Sequence, residues 1–213
     1  YREYIDKYYA VIPGDESTDY SVSKAKMRQN IICSYKQNAD RILEVSSFDG
    51  FTLNLFQKSF NAKVTGVEPS KEAADYSVNR FSELRGNIIN DVFEEFPQYY
   101  DGMKFDVVLF SHSFRHIIDP AGTLSVLNEI VSDGGLVLID EGTLLDAISF
   151  QGRGMRDIVL TFSHQKQFYY NFQNLVFLFE SNGFKYLGHQ ATDINMKGLN
   201  GQYYAVVFQK DQN

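Results

Sequence analysis

The chain has 213 residues, with 44% hydrophobic and 22% charged, which suits one globular domain with a sizeable core. Its net charge of −7 argues against a nucleic-acid backbone as main partner, because phosphate binding needs clustered Lys and Arg. A single cysteine, Cys33, excludes an intramolecular disulfide and a cysteine-based zinc site, and no apolar run is long enough to span a bilayer. A reducing compartment follows, with the cytoplasm as the expected location. The first residue is Tyr1 rather than Met, so a piece cut from a longer protein is expected.

In chain order, the polar, Tyr-rich first 39 residues read as an N-terminal helical lid, with a helix over Ser21 to Ser34. The core is expected over 40–213. Arg41 to Val45 is a short apolar strand ending in a turn, followed by a helix over Phe51 to Phe60. Lys63 to Glu68 is a second strand, and Pro69-Ser70 starts the next helix. A third strand is expected at Asn87 to Asn90 and a fourth at Phe105 to Phe110. A helix then covers Leu124 to Val131, and Asp133-Gly134-Gly135 stops it before a fifth strand, Leu136 to Asp140. A helix over Asn171 to Ser181 and strands at Phe184 to His189 and Tyr203 to Gln209 complete the chain.

Strands alternating with helices imply parallel βαβ units, and continuous apolar strands imply a sheet covered on both faces. The expected fold is α/β: a doubly wound, Rossmann-like, seven-stranded, mostly parallel sheet with an antiparallel final strand. Ligands of such sheets sit at the carboxyl ends of the strands, near the switch in strand order.

The residues at those ends carry the chemistry. A tight turn from Ser46 to Gly50 into a helix presents backbone N–H groups to a polar ligand. Glu68 ends the second strand about twenty residues further on, where a carboxylate accepts hydrogen bonds from a ribose diol. Helix-start solvation is the alternative for Glu68. A nicotinamide dinucleotide would also use such an acid, but it needs a G-x-G-x-x-G turn, which is absent.

Four segments together resemble class I S-adenosylmethionine-dependent methyltransferases. They are Ile42 to Gly50, Val64 to Ser70, Phe105 to His112 with His116 and Asp119-Pro120, and Asp133 to Leu138. The resemblance covers roughly residues 40 to 190, and its nearest branch is that of small-molecule and sugar methyltransferases. It implies S-adenosyl-L-methionine as cofactor. Glu44 and the turn Ser46, Ser47, Asp49 and Gly50 would lie under its methionine part. Glu68 and Pro69 would meet the ribose; Asn90, Asp91 and Val92 would frame the adenine. Ser111 and His112 would line the methyl side, and the start of the chain, with Lys24 and Met27, would form a lid. The family has glycine where this sequence has Ser46 and Phe48.

The same branch carries a His-Glu-His segment in enzymes that methylate sugar carbon; here it reads His164-Gln165-Lys166, without the carboxylate and one imidazole. That shifts the expectation to oxygen, where a neutral His suffices to take one proton. His116 is the first candidate base, followed by His112 and His164. His189 reads as structural. The acceptor expected is a small molecule or glycan precursor, with Phe168, Tyr169 and Tyr170 able to stack on a pyranose. No metal is expected: Asp101 and Asp106 are set aside, and Asp140 and Glu141 read as capping or solvated acids. Sugar C-methylation and a non-catalytic domain of the same fold are the alternatives.

Overall fold

A computed structural model describes residues 18–141, 168, 170–196 and 199–212, with side chains for 22–141, 168, 170–191 and 204–212. In chain order the elements are α1 Thr18–Tyr35, β1 Arg41–Val45, α2 Phe51–Phe60, β2 Lys63–Val67, α3 Lys71–Arg80, β3 Ile88–Ile89, β4 Phe105–Ser111, α4 Pro120–Ile130, β5 Val131–Glu141, α5 Phe172–Glu180, β6 Phe184–Met196 and β7 Leu199–Lys210. They build one seven-stranded sheet in the order β3-β2-β1-β4-β5-β7-β6. The pairs from β3 through β5 are parallel, whereas β7 runs antiparallel to both β5 and β6. This is the expected Rossmann-like sheet.

The helix starts follow local chemistry. Ser70 Oγ accepts from Ala73 N ahead of α3. Asp119 accepts from Gly122 N ahead of α4, with Pro120 in its first turn. Asn171 Oδ1 accepts from Asn174 N ahead of α5. Each satisfies an amide that the helix itself leaves bare.

Successive strand side chains point to opposite faces, which divides the core in two. Leu43, Val45, Val108, Phe110, Val137 and Ile139 pack on one face with Phe114, Phe179 and Phe208, the last two stacked at 4.1 Å. Ile42, Val64, Val107, Leu109, Leu136 and Leu138 pack on the other with Ile32, Leu53 and Phe56 from α1 and α2. The same alternation sends Glu44, Ser111 and Asp140 toward α1 and α2. It sends Glu141 toward the opposite face.

Several boundaries differ from the sequence reading: β6 runs on to Met196 rather than His189, β7 starts at Leu199 rather than Tyr203, and three further differences have a local cause or a bearing on the sheet. The helix expected over Leu124 to Val131 runs Pro120–Ile130, because Asp119 and Pro120 form a start signal four residues earlier. The fifth strand begins at Val131 rather than Leu136. Asp133-Gly134-Gly135 does not precede it but bulges within it: from Val131 to Leu136 the strand takes five steps against two in β4, with Gly134 at φ 69. The third strand shrinks to Ile88–Ile89.

Candidate active site

Strand order reverses between β1 and β4, so their carboxyl ends flank the switch point. Among the described residues, four non-glycine residues have positive φ: Ser46 (60), Phe48 (45), Asn61 (51) and His112 (60). Asn61 is an ordinary left-handed helix cap. The other three stand directly after β1 and β4. L-residues adopt that conformation at a cost, and such strain gathers at functional sites. Ser46 and Phe48 thus hold left-handed conformations of the kind glycine adopts without penalty.

The amides of this turn bond mostly within the protein. Ser46 and Ser47 donate to Val67 O, Phe48 to Glu68 Oε2 at 2.8 Å, Gly50 to Ser47 O and Phe51 to Asp49 Oδ1. Four of the five amides from Ser46 to Gly50, those of Ser46, Ser47, Phe48 and Gly50, are therefore spent inside the protein rather than held out as the N–H cradle expected from the sequence. Gly50 has φ 71, and a Cβ there would lie 2.8 Å from Leu84 Cδ1 and 2.9 Å from Ser77 Cβ, so this position needs glycine for both reasons. The Ser47 hydroxyl is buried without a partner.

Glu68, just beyond β2, is 5% exposed rather than a solvated helix-start acid. Its Oε1 accepts from Ser70 N and its Oε2 from Phe48 N, both at 2.8 Å. Burial raises its pKa to about 7 despite these two bonds. Asn90 donates to Glu68 O and Pro69 O, fastening the end of β3 to that of β2. Asp91 accepts from Val92 N and Tyr99 Oη. The residues expected around a nucleoside are thus joined through backbone contacts at one edge of the site.

At the centre, Ser111 Oγ donates to Glu44 Oε1 at 2.6 Å across β1 and β4. Burial raises Glu44 to about 7, opposed by the nearby Arg28. Arg28, from α1, reaches Asp140 Oδ2 through Nε at 2.6 Å, donates through one terminal nitrogen to Thr52 Oγ1 at 2.9 Å, and lies 3.7 Å from Glu44 Oε1. Asp140 Oδ1 is buried without a hydrogen-bond partner. Lys24, one turn before Arg28, is lowered to about 8 by burial, against the pull of Asp140.

The acids ending β5 are neither capping nor solvated. Asp140 pairs with Arg28 on one face; Glu141 pairs with Arg115 on the other, Nη1 to Oε2 at 3.2 Å, and accepts from Arg115 N. Burial raises both carboxyl pKa values. Among the described residues no three His, Cys, Asp or Glu side chains gather as a metal cluster. Asp101 pairs with Arg41, and Asp106 accepts the amides of Asp40 and Arg41, away from the strand ends that flank the switch.

The histidines differ. His112 follows β4 directly, its amide donating to Asp140 O. Burial, then the cations Arg28, Arg115 and Lys24, hold its imidazole well below the usual range, hence neutral. His116 Nε2 accepts from Arg115 Nε at 3.2 Å, so that nitrogen's lone pair is taken. His189 bonds Tyr186 Oη at 2.7 Å and packs on Phe172, a structural setting. His164, Gln165, Lys166 and Tyr169 lie outside the described residues. Phe168 and Tyr170 stack with centroids 6.0 Å apart. Met27, expected in the lid, is half-buried and packs from α1 against the core.

Arg28 escaped the sequence reading. The available signal was indirect: two adjacent acids at the end of a buried strand need cations, and α1 carries one a single turn beyond Lys24.

The sequence model of a family described as a methyltransferase domain matches residues 20–189. No curated protein matches the chain. Among solved structures, phosphoethanolamine N-methyltransferase 2 of Haemonchus contortus is similar at TM-score 0.71 and 13% identity, covering 99% of this chain and 60% of that one. Geranyl diphosphate C-methyltransferase of Streptomyces coelicolor gives 0.67 and 12%, covering 94% and 86%. The [4+2]-cyclase SpnF gives 0.66 and 10%, covering 88% and 81%. At such identities the likeness is one of fold, and the cyclase shows that the fold hosts more than one chemistry.

Proposed function

The chain belongs to the methyltransferase-domain family, and from that membership we propose that it transfers a methyl group from S-adenosyl-L-methionine to a small polar acceptor. The acceptor we favour is a hydroxyl of a sugar or glycan precursor. The observation that supports the cofactor half is the turn after β1: Ser46 and Phe48 hold left-handed conformations at the positions where the resemblance expects glycine. Backbone strain of this kind gathers at functional sites, which favours a turn retained for a ligand.

The residues present fit the group. Glu68 has both oxygens anchored, yet each keeps a lone pair for a ribose hydroxyl. Asn90, Asp91 and Val92 stand beside it for the adenine. The buried, unpartnered Ser47 Oγ and Asp140 Oδ1, together with Glu44, offer acceptors for an ammonium. When bound, the cofactor supplies a methyl group on a sulfonium, already strongly electrophilic.

The protein then has to orient a nucleophile and remove one proton. We assign that base to His112 rather than to His116, the first candidate by sequence. His112 follows the central strand and is held in a strained backbone by its bond to Asp140; it is neutral and so able to accept a proton, although burial and the neighbouring cations lower its basicity. His116 would first have to release Arg115. His164 remains a candidate on sequence alone. Preference for a hydroxyl rests on the missing carboxylate and imidazole in His164-Gln165-Lys166, and preference for a sugar on the resemblance to that branch.

Calorimetric titration with S-adenosyl-L-methionine and S-adenosylhomocysteine tests the cofactor half. Binding in the micromolar range is expected; no binding of either at millimolar concentration would leave a non-catalytic domain as the better reading. A panel of hydroxyl, amine and carbon acceptors, read by formation of S-adenosylhomocysteine, tests the other half. Turnover confined to amines would overturn the hydroxyl.

A further inference from the structure

We propose that Glu68 is a positioning residue for the turn between β1 and α2, acting through the amide of Phe48, in addition to any contact with a ribose. The inference rests on the cofactor reading given above for its consequence, though not for its geometry.

Phe48 has φ 45, a conformation its bulky side chain does nothing to favour. Its surroundings must impose it. Those surroundings are the end of β2: Val67 O takes the amides of Ser46 and Ser47, and the Glu68 carboxylate takes the third consecutive amide, that of Phe48. The other oxygen holds Ser70 N at the start of α3. A buried carboxylate makes stronger bonds to amides than a neutral acceptor, and water competes little.

The side chain also suits the task by chemistry. Two separate N–H donors call for two acceptor oxygens, which an ionised carboxylate has and an amide lacks. Gln at 68 would turn an NH2 toward one of the two donors. Asp, one methylene shorter, would sit back from Phe48. The carboxylate therefore does for Phe48 what a glycine would have done by its own freedom, and the same atoms stay available to a diol. Ligand and turn are coupled through one group.

The test compares Glu68→Gln in the native and Phe48→Gly backgrounds, with S-adenosylhomocysteine and its 2′,3′-dideoxyribose analogue as ligands. If Glu68 acts through the turn, Glu68→Gln weakens the analogue about tenfold, the worth of one charge-assisted hydrogen bond. That loss largely disappears in the Phe48→Gly background, where residue 48 holds its conformation unaided. An analogue affinity unaffected by Glu68→Gln would confine the side chain to the ribose and overturn the proposal. Equal losses in both backgrounds would do the same. Amide exchange in the ligand-free protein gives a second reading. Faster exchange of the Phe48 amide in Glu68→Gln, with β4 unchanged, supports the clamp; an unchanged rate overturns it. Should the native protein bind neither ligand, the cofactor reading falls and the exchange result alone decides the clamp.

Discussion

Arg28 reaches from the first helix to Asp140 at the end of β5, Nε to Oδ2 at 2.6 Å, with the guanidinium 7% and the carboxylate 1% exposed as residues. The contact spans 112 positions in sequence and ties α1 to the central sheet. It also sets Glu44 and Asp140 about one cation.

Removing that cation is expected to be costly. Arg28→Met should destabilise the protein by about 3 kcal/mol, because two buried carboxylates lose their main counter-charge. Urea denaturation measures it. A loss below about 1 kcal/mol would mean that water reaches the pair. The double variant Arg28→Met, Asp140→Asn should recover part of the loss, since no charge is then stranded at β5.

The strained turn gives opposite expectations at two neighbouring positions. Ser46→Gly should stabilise the fold by roughly 0.5–1 kcal/mol, because glycine adopts positive φ without penalty. Gly50→Ala should destabilise it by about 2 kcal/mol or more, since the new Cβ meets Leu84 and Ser77 and φ is positive too. Thermal melts of both variants check the pair. Destabilisation by Ser46→Gly would argue that the serine side chain outweighs its backbone.

Glu44 predicts a pH dependence. Its folded pKa of about 7 lies above the unfolded 4.5, so the folded state holds the proton more tightly. The stability this contributes is full below about 4.5 and is lost as pH rises through about 7. Glu44→Gln cannot titrate. Relative to the native protein, the variant should therefore gain stability steadily from pH 4.5 to 7 and level off above. Denaturation midpoints at several pH values report the difference, and a constant gap would place the Glu44 pKa near its ordinary value.

For the proposed chemistry, His112→Asn should lower turnover by about 10²–10⁴ while S-adenosylhomocysteine affinity holds. His116→Asn should cost less. Steady-state kinetics beside calorimetry separate the two effects. The reverse order would return the base to His116, with Arg115 released in the complex.

Much of this architecture was legible in the sequence. β1 and α2 fall at the residues expected, because each apolar run is closed by a turn or cap that local chemistry dictates: Gly50 before α2, Asn61 after it. β5 was harder. Asp133-Gly134-Gly135 has the composition of a stop, and only pairing with β4 makes it a bulge inside a strand. The partners of Asp140 and Glu141 were invisible for another reason. Adjacent residues of a strand face opposite ways, so the two acids meet Arg28 and Arg115, contributed by different elements. His112 and His116 could be placed after β4 by sequence, but the Arg115 contact that distinguishes them is a matter of side-chain geometry.

The antiparallel β7 lies between β5 and β6 although it follows both in sequence. A ribosome that has released the chain only as far as β6 therefore presents an unfinished sheet. The β5 edge, with the buried run Leu136 to Glu141, waits bare until Leu199–Lys210 arrives to pair with it. Such an edge is a template for foreign strands. The interval between synthesis of β5 and of β7 is thus one in which the growing chain is open to misassembly through that edge.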